Sequence, residues 1–189
     1  MTAGSAAAIG VVTRTGWAVV VVLSGRGSAP SLLDRREVGL RVAGIPVQPY
    51  HAAAGLPADA AEELIGRAER GAEQALAESF RGVAAELPGG VVVCGVAVVV
   101  KHIVLPANTA EVLRSHARMH AAEGVLYREA ALAAASRCGY TAHAVPEPEL
   151  PEVPGILGEL GRAAGRPWRR IEKDAARAAI TLLDGRRNE

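Results

Sequence analysis

The chain has only two cysteines, and they stand far apart: Cys94 lies inside an apolar run and Cys138 at the end of a helical stretch. Such a pair builds neither a disulfide framework nor a thiolate metal site, so a reducing cytoplasm is the expected compartment. There is no surplus of charge of either sign. Twenty-one lysines and arginines against twenty acids leave a net charge of +1. That balance excludes the blanket positive field behind strong non-specific DNA binding, and any nucleic-acid contact has to be local. Long apolar runs are missing as well. The stretches 17–23 and 91–100 are too short to span a bilayer, and residues 1–10 lack the basic start and apolar core of a secretion signal. No internal repeat is visible. A soluble, cytoplasmic protein with no membrane partner is expected.

What is present suits one core. The chain has 189 residues, half of them hydrophobic, and reads as a single domain over 1–189. Fraying is expected over about eight residues at the start and about five at the end.

Residues 9–13 and 16–23 are β-branched apolar runs joined by Arg14-Thr15, which predicts a hairpin of two strands buried on both faces. After a turn-rich 24–30, the stretch 31–42 sets Leu32, Val38, Leu40 and Val42 on one parity and Arg35, Glu37 and Arg41 on the other. That alternation is expected of a strand with one wet face. A loop over 43–56 leads to Pro57, suited to open a helix whose stripe is Leu64, Ala68, Ala72, Leu76 and Val83. Pro88-Gly89-Gly90 stops it, and 91–100 is a valine strand fit for the middle of a covered sheet. Asn108 with Glu111 caps a helix predicted over 109–137, which Gly139 closes. A short strand at 140–145, a loop over 146–167 with a turn of helix at most, and a helix from about Ile171 complete the chain.

Three strands joined by short turns are antiparallel neighbours, whereas strands reached through helices run parallel to one already placed. The result is an α/β protein with elements in the order βββαβαβα and a five-stranded mixed sheet covered by helices. This order resembles the ribonuclease H-like superfamily, and within it the Holliday-junction resolvase type. Ile9-Gly10-Val11-Val12-Thr13-Arg14-Thr15-Gly16-Trp17-Ala18-Val19 looks like that family's Ile-Gly-Ile-Asp-Pro-Gly strand and its Thr-Gly-Trp continuation. Lys173-Asp174-Ala175-Ala176 resembles its closing helix, with a metal-binding Asp.

The resemblance implies phosphodiester cleavage by two metal ions about 4 Å apart, held by carboxylates. Here the first-strand acid is replaced by Val12 or Thr13, and the acid expected on the fourth strand falls near Cys94. Asp174 is the one matching carboxylate that remains, aimed at the sheet in one view and a first-turn helix acid in the other.

A sharper local pattern lies at Ser115-His116-Ala117-Arg118-Met119-His120-Ala121-Ala122-Glu123. On a helix turning about 100° per residue, His116, His120 and Glu123 fall within about 60° of one another, with Tyr127 on the same line. Two imidazoles and a carboxylate can bind zinc, manganese or iron, or exchange protons. His51 or His102 can add a ligand. The plainer alternative is a hydrogen-bonded group at the edge of the core, with Glu123 pairing to Arg128 or Lys101.

Arg166, Trp168, Arg169 and Arg170, just before the last helix, form a candidate nucleic-acid contact, with arginines on phosphates and the indole on a base. A loop anchored by Trp168 is the alternative there. The expected function is therefore a divergent ribonuclease H-like domain without most of the nuclease carboxylates, a binding or assembly module whose partner is nucleic acid, a protein or a second copy. The alternative is a metal-dependent phosphoesterase or nuclease using Asp174, His116, His120 and Glu123, with His51 completing the metal set. It would require one divalent ion, zinc, manganese or magnesium. A half of an actin-like nucleotide-binding unit shares the strand order but needs two domains and acidic phosphate hairpins.

Overall fold

Strands β1 (Ser5–Arg14), β2 (Trp17–Arg26) and β3 (Ala29–Gly39) form an antiparallel meander. Strands β4 (Val91–Val100) and β5 (Ala142–Pro146) then add in parallel to give the order β3-β2-β1-β4-β5. The computed structural model describes residues 5–185. Of the first eight residues, expected to fray, 1–4 lie outside the described residues, while β1 begins at Ser5 and Ala7 and Ala8 are fully buried. Of the tail expected to fray, 186–189 lie outside the described residues, while Asp184 and Gly185 close the last helix.

Helices α1 (Pro49–Ala53), α2 (Ala58–Glu86), α3 (Thr109–Leu113) and α4 (His116–Arg137) belong to one face of the sheet, and α6 (Arg170–Gly185) to the other. The alternation of β1 explains the division. Ala7, Ile9 and Val11 pack with Leu76, Phe80 and Leu126, whereas Ala8 and Val12 pack with Ile171, Ala175 and Ile180. Gly10 belongs to the second row. A Cβ there would stand 1.8 Å from the carbonyl oxygen of Ala175, so α6 rests backbone to backbone on β1.

Several expectations are corrected. The helix predicted over 109–137 is two helices, broken at Arg114 and Ser115 because Ser115 adopts an extended conformation (φ −136°, ψ 120°) and its hydroxyl accepts from the Arg118 amide. α4 therefore opens on His116. The loop over 43–56 contains α1, and the loop over 146–167 contains a 3₁₀ turn, Glu147–Glu149, and the eleven-residue α5 (Pro154–Ala164). Its glycines and prolines hid the stripe of α5, whose Leu157 and Leu160 join the second core. Leu32 and Val38 do not share a face. A bulge between Val22/Leu23 on β2 and the facing strand sends Leu32 to the α6 side and Leu33 and Val38 to the α2 side.

Candidate functional site

The ends of β1 and β4 open into a crevice between α4 and α6, lined by Val12, Thr13, Arg14, Val99, Lys101, Arg128, Glu147 and Asp174. Asp174 reaches it because α6 lies so close to β1, and its carboxylate is buried. It does not stand alone. Arg177 donates to Oδ1 at 3.3 Å, and Arg170 Nε lies 3.4 Å from Oδ2. Glu147, just beyond β5, brings a second carboxylate, contacted by Lys101 Nζ at 3.3 Å and by Arg170 Nη2 at 2.9 Å. Both acids are thus held by side-chain cations.

Arg128 is different. It is partly buried, and its Nη2 is sealed from solvent with no hydrogen-bond partner. Burial lowers its pKa below the ordinary arginine value, Glu129 opposes that, and Arg14 adds to the lowering. Arg14 and Lys101 line the same crevice, so three cations meet there.

At the start of α4, three imidazoles meet. His51 on α1 and His116 and His120 on α4 have ring centroids 4.3 to 4.9 Å apart. Each offers a nitrogen, and the three nitrogens lie within 4.8 Å of one another. Glu123, one helical turn along, is 1 % exposed, and its Oε1 sits 2.8 Å from His51 Nδ1. The α1 segment is held in place by Tyr127, whose hydroxyl donates to the Val47 carbonyl at 2.7 Å. Burial first, and then the nearby Glu123, raise the Tyr127 pKa, which keeps that donor protonated.

The chain matches no protein-family model and no curated protein sequence. Solved structures do match it. *T. thermophilus* RuvC in complex with a Holliday junction substrate aligns over 96% of this chain and 95% of that one, with a TM-score of 0.57 at 15% identity. A second *Thermus thermophilus* RuvC structure aligns over 96% of each chain, with a TM-score of 0.51 at 17% identity. The fold is ribonuclease H-like, of the RuvC type.

Within this RuvC-type fold the residues singled out by sequence fall in separate places. Val12 and Thr13 line the crevice with Asp174. The β4 position that faces it is not near Cys94. Cys94 sits at the bulge beside Ala7 and Ala8, toward the opposite end of the strands, and the residues reaching the crevice are Val99 and Lys101. Asp174 is not grouped with the imidazoles; it lies on the α6 side, whereas His51, His116 and His120 belong to α1 and α4. Glu123 pairs with His51, and not with Arg128 or Lys101. Glu147 escaped notice because it lay in a segment read as loop, and Arg128 was read only as a pairing partner for Glu123. Their meeting depends on contacts between distant parts of the chain.

Trp168 donates its indole N–H to the Leu157 carbonyl at 3.0 Å and packs against Gly161, anchoring α5. Arg169 is engaged by Glu37 and Glu172, and Arg170 by Glu147 and Asp174. Arg166 lines an open groove of about 770 Å³ with Arg162, Arg169 and Lys173.

Glu172 gives a pH prediction. Burial alone pushes its carboxyl up, but hydrogen bonds from the Arg169 side chain and from backbone N–H groups outweigh this and hold it below the usual range. A depressed folded pKa stabilises the fold above the ordinary carboxylate value, and this contribution is lost as pH falls through the folded value. Glu172→Gln is therefore expected to be less stable than the parent at neutral pH, with the two converging as urea midpoints are followed down from pH 4.5. A constant difference across that window would show that the ionised carboxylate is not what stabilises α6.

Proposed function

We propose that this chain is a nucleic-acid-binding module on a RuvC-type fold that grips phosphates without cutting them, using the crevice at the ends of β1 and β4. The observation that carries this is Arg128: a partly buried guanidinium with an orphaned Nη2, set beside Arg14 and Lys101. Burying a cation without a partner costs free energy, and a phosphate oxygen supplies the missing acceptor with opposite charge.

The residues present fit a pair of catalytic metal ions poorly. Thr13 and Val12 offer no carboxylate on β1, Lys101 stands at the end of β4, and Glu147 and Asp174 are already compensated by Lys101, Arg170 and Arg177. Metal ions entering here would have to displace three side-chain cations and face two more, Arg14 and Arg128. In place of metal charge, the crevice carries fixed side-chain charge. The groove lined by Arg162, Arg166, Arg169 and Lys173 offers further cations on the α5–α6 side. The similar RuvC structure that contains a Holliday junction substrate supports nucleic acid as the partner class.

The test is fluorescence anisotropy on labelled four-way junction and duplex DNA, with EDTA or with Mg²⁺, over a salt series. Binding is expected to persist in EDTA and to weaken with salt at a log–log slope of about −3, corresponding to roughly three neutralised phosphates. Strands should stay intact with Mg²⁺ or Mn²⁺. Metal-dependent cleavage, or no binding even at low salt, would remove this function.

A further inference from the structure

We propose that His51, His116 and His120 form a mononuclear zinc site with an open fourth position, in which Glu123 serves as the orienting partner of His51 and not as a ligand. This site is independent of the phosphate crevice.

The argument begins with one hydrogen bond. The 2.8 Å contact with Glu123 Oε1 engages His51 Nδ1, which leaves Nε2 as the ring nitrogen free to bind a ligand. His51 Nε2 is buried and has no hydrogen-bond partner. The imidazoles of His116 and His120 crowd the same ring at centroid distances of 4.9 and 4.3 Å. A buried ring nitrogen without a partner, on an imidazole packed against two others, suits a cation that binds nitrogen.

The carboxylate supports the same conclusion from the other side. Glu123 is 1 % exposed; its Oε2 is also buried without a hydrogen bond and lies 3.9 Å from His120 Nδ1. A carboxylate behind a metal-bound histidine fixes ring orientation and raises ligand basicity.

Three imidazoles favour zinc over magnesium, which prefers oxygen ligands. Tetrahedral zinc has nitrogen ligands at about 2.0–2.1 Å, hence about 3.4 Å from one another. The present spread of 4.8 Å closes by side-chain rotation, since His116 and His120 are exposed on the first turns of α4. The same exposure leaves the outer side open to water as fourth ligand, the arrangement of catalytic and not structural zinc sites. Zinc would also tie the five-residue α1 to α4.

The experiment uses the full chain without a histidine tag, stripped with chelator and titrated with Zn²⁺ and with Co²⁺. Expected are one equivalent of Zn²⁺ per chain by elemental analysis, an intense visible Co²⁺ spectrum of tetrahedral type, and a rise in Tm with Zn²⁺. The double variant His116→Ala/His120→Ala should lose all three while keeping its circular dichroism, because both rings are largely at the surface. Glu123→Gln should bind Zn²⁺ 10- to 100-fold more weakly. Parent protein that takes up neither ion, or a folded double variant that still binds one equivalent, overturns the site. The wild-type titration decides the matter even if a variant fails to fold. DNA binding in EDTA should be unaffected by the double variant, which separates this site from the crevice.

Discussion

Gly10→Ala is expected to destabilise the protein by on the order of 4 kcal/mol or more, enough to leave much of it unfolded at 37 °C. The added methyl would lie 1.8 Å from the Ala175 carbonyl oxygen and 2.9 Å from the Ala179 amide nitrogen. Both obstacles are backbone, so no rotamer change relieves the clash and α6 has to lift off β1. Lifting it forfeits the packing of Ile171, Ala175, Ala178 and Ile180 against Ala8, Val12 and Val21. It also moves Asp174, which lines the crevice, together with Arg170 and Arg177, which contact it. Urea denaturation provides the measurement. Gly39→Ala is the control, since nothing lies within 4 Å of a Cβ there, and its effect should stay within about 0.5 kcal/mol. Equal midpoints for the two variants would mean that the close seat of α6 on β1 is not a requirement of the fold.

Arg128→Met is expected to do two opposite things: raise stability by about 1 kcal/mol and weaken DNA binding at least tenfold, with the salt slope reduced by about one. A residue that merely holds the fold together cannot give that combination. The guanidinium is partly buried with Nη2 orphaned, and methionine of similar length fills its space without a charge to desolvate. The loss in binding follows from the same fact, because the unsatisfied N–H is what a phosphate would engage. Urea midpoints and anisotropy at several salt concentrations check the two halves. Arg67→Met, on the exposed side of α2, should change neither quantity. A destabilised Arg128→Met protein with unchanged DNA affinity would make the guanidinium structural and leave the crevice without its anion site.

Much of the architecture was legible because strands and helices announce themselves through periodicity. The valine runs at 16–23 and 91–100, the stripe of α2 and the Pro88-Gly89-Gly90 stop all act within a few residues. What they missed has the same cause. The break at Ser115 depends on a hydroxyl turned back to one amide, and α5 was masked by its own glycines and prolines. The bulge in β3 inverted a parity that one strand cannot reveal by itself.

The candidate sites divide in the same way. The helical spacing of His116, His120 and Glu123 could be read directly, because positions on one helix face are fixed by helix geometry. That His51 would complete the group, with Glu123 holding it from behind, was settled only when Tyr127 tied the Val47 segment to α4. The crevice is still more a product of tertiary structure: Thr13, Lys101, Arg128, Glu147 and Asp174 come from five separate elements or their ends. The amino-acid sequence by itself determined which segments are strand and helix, and the absence of a first-strand acid. Tertiary structure decided which charges meet, because burial and proximity across long loops follow from how the layers pack and leave no local trace in the chain.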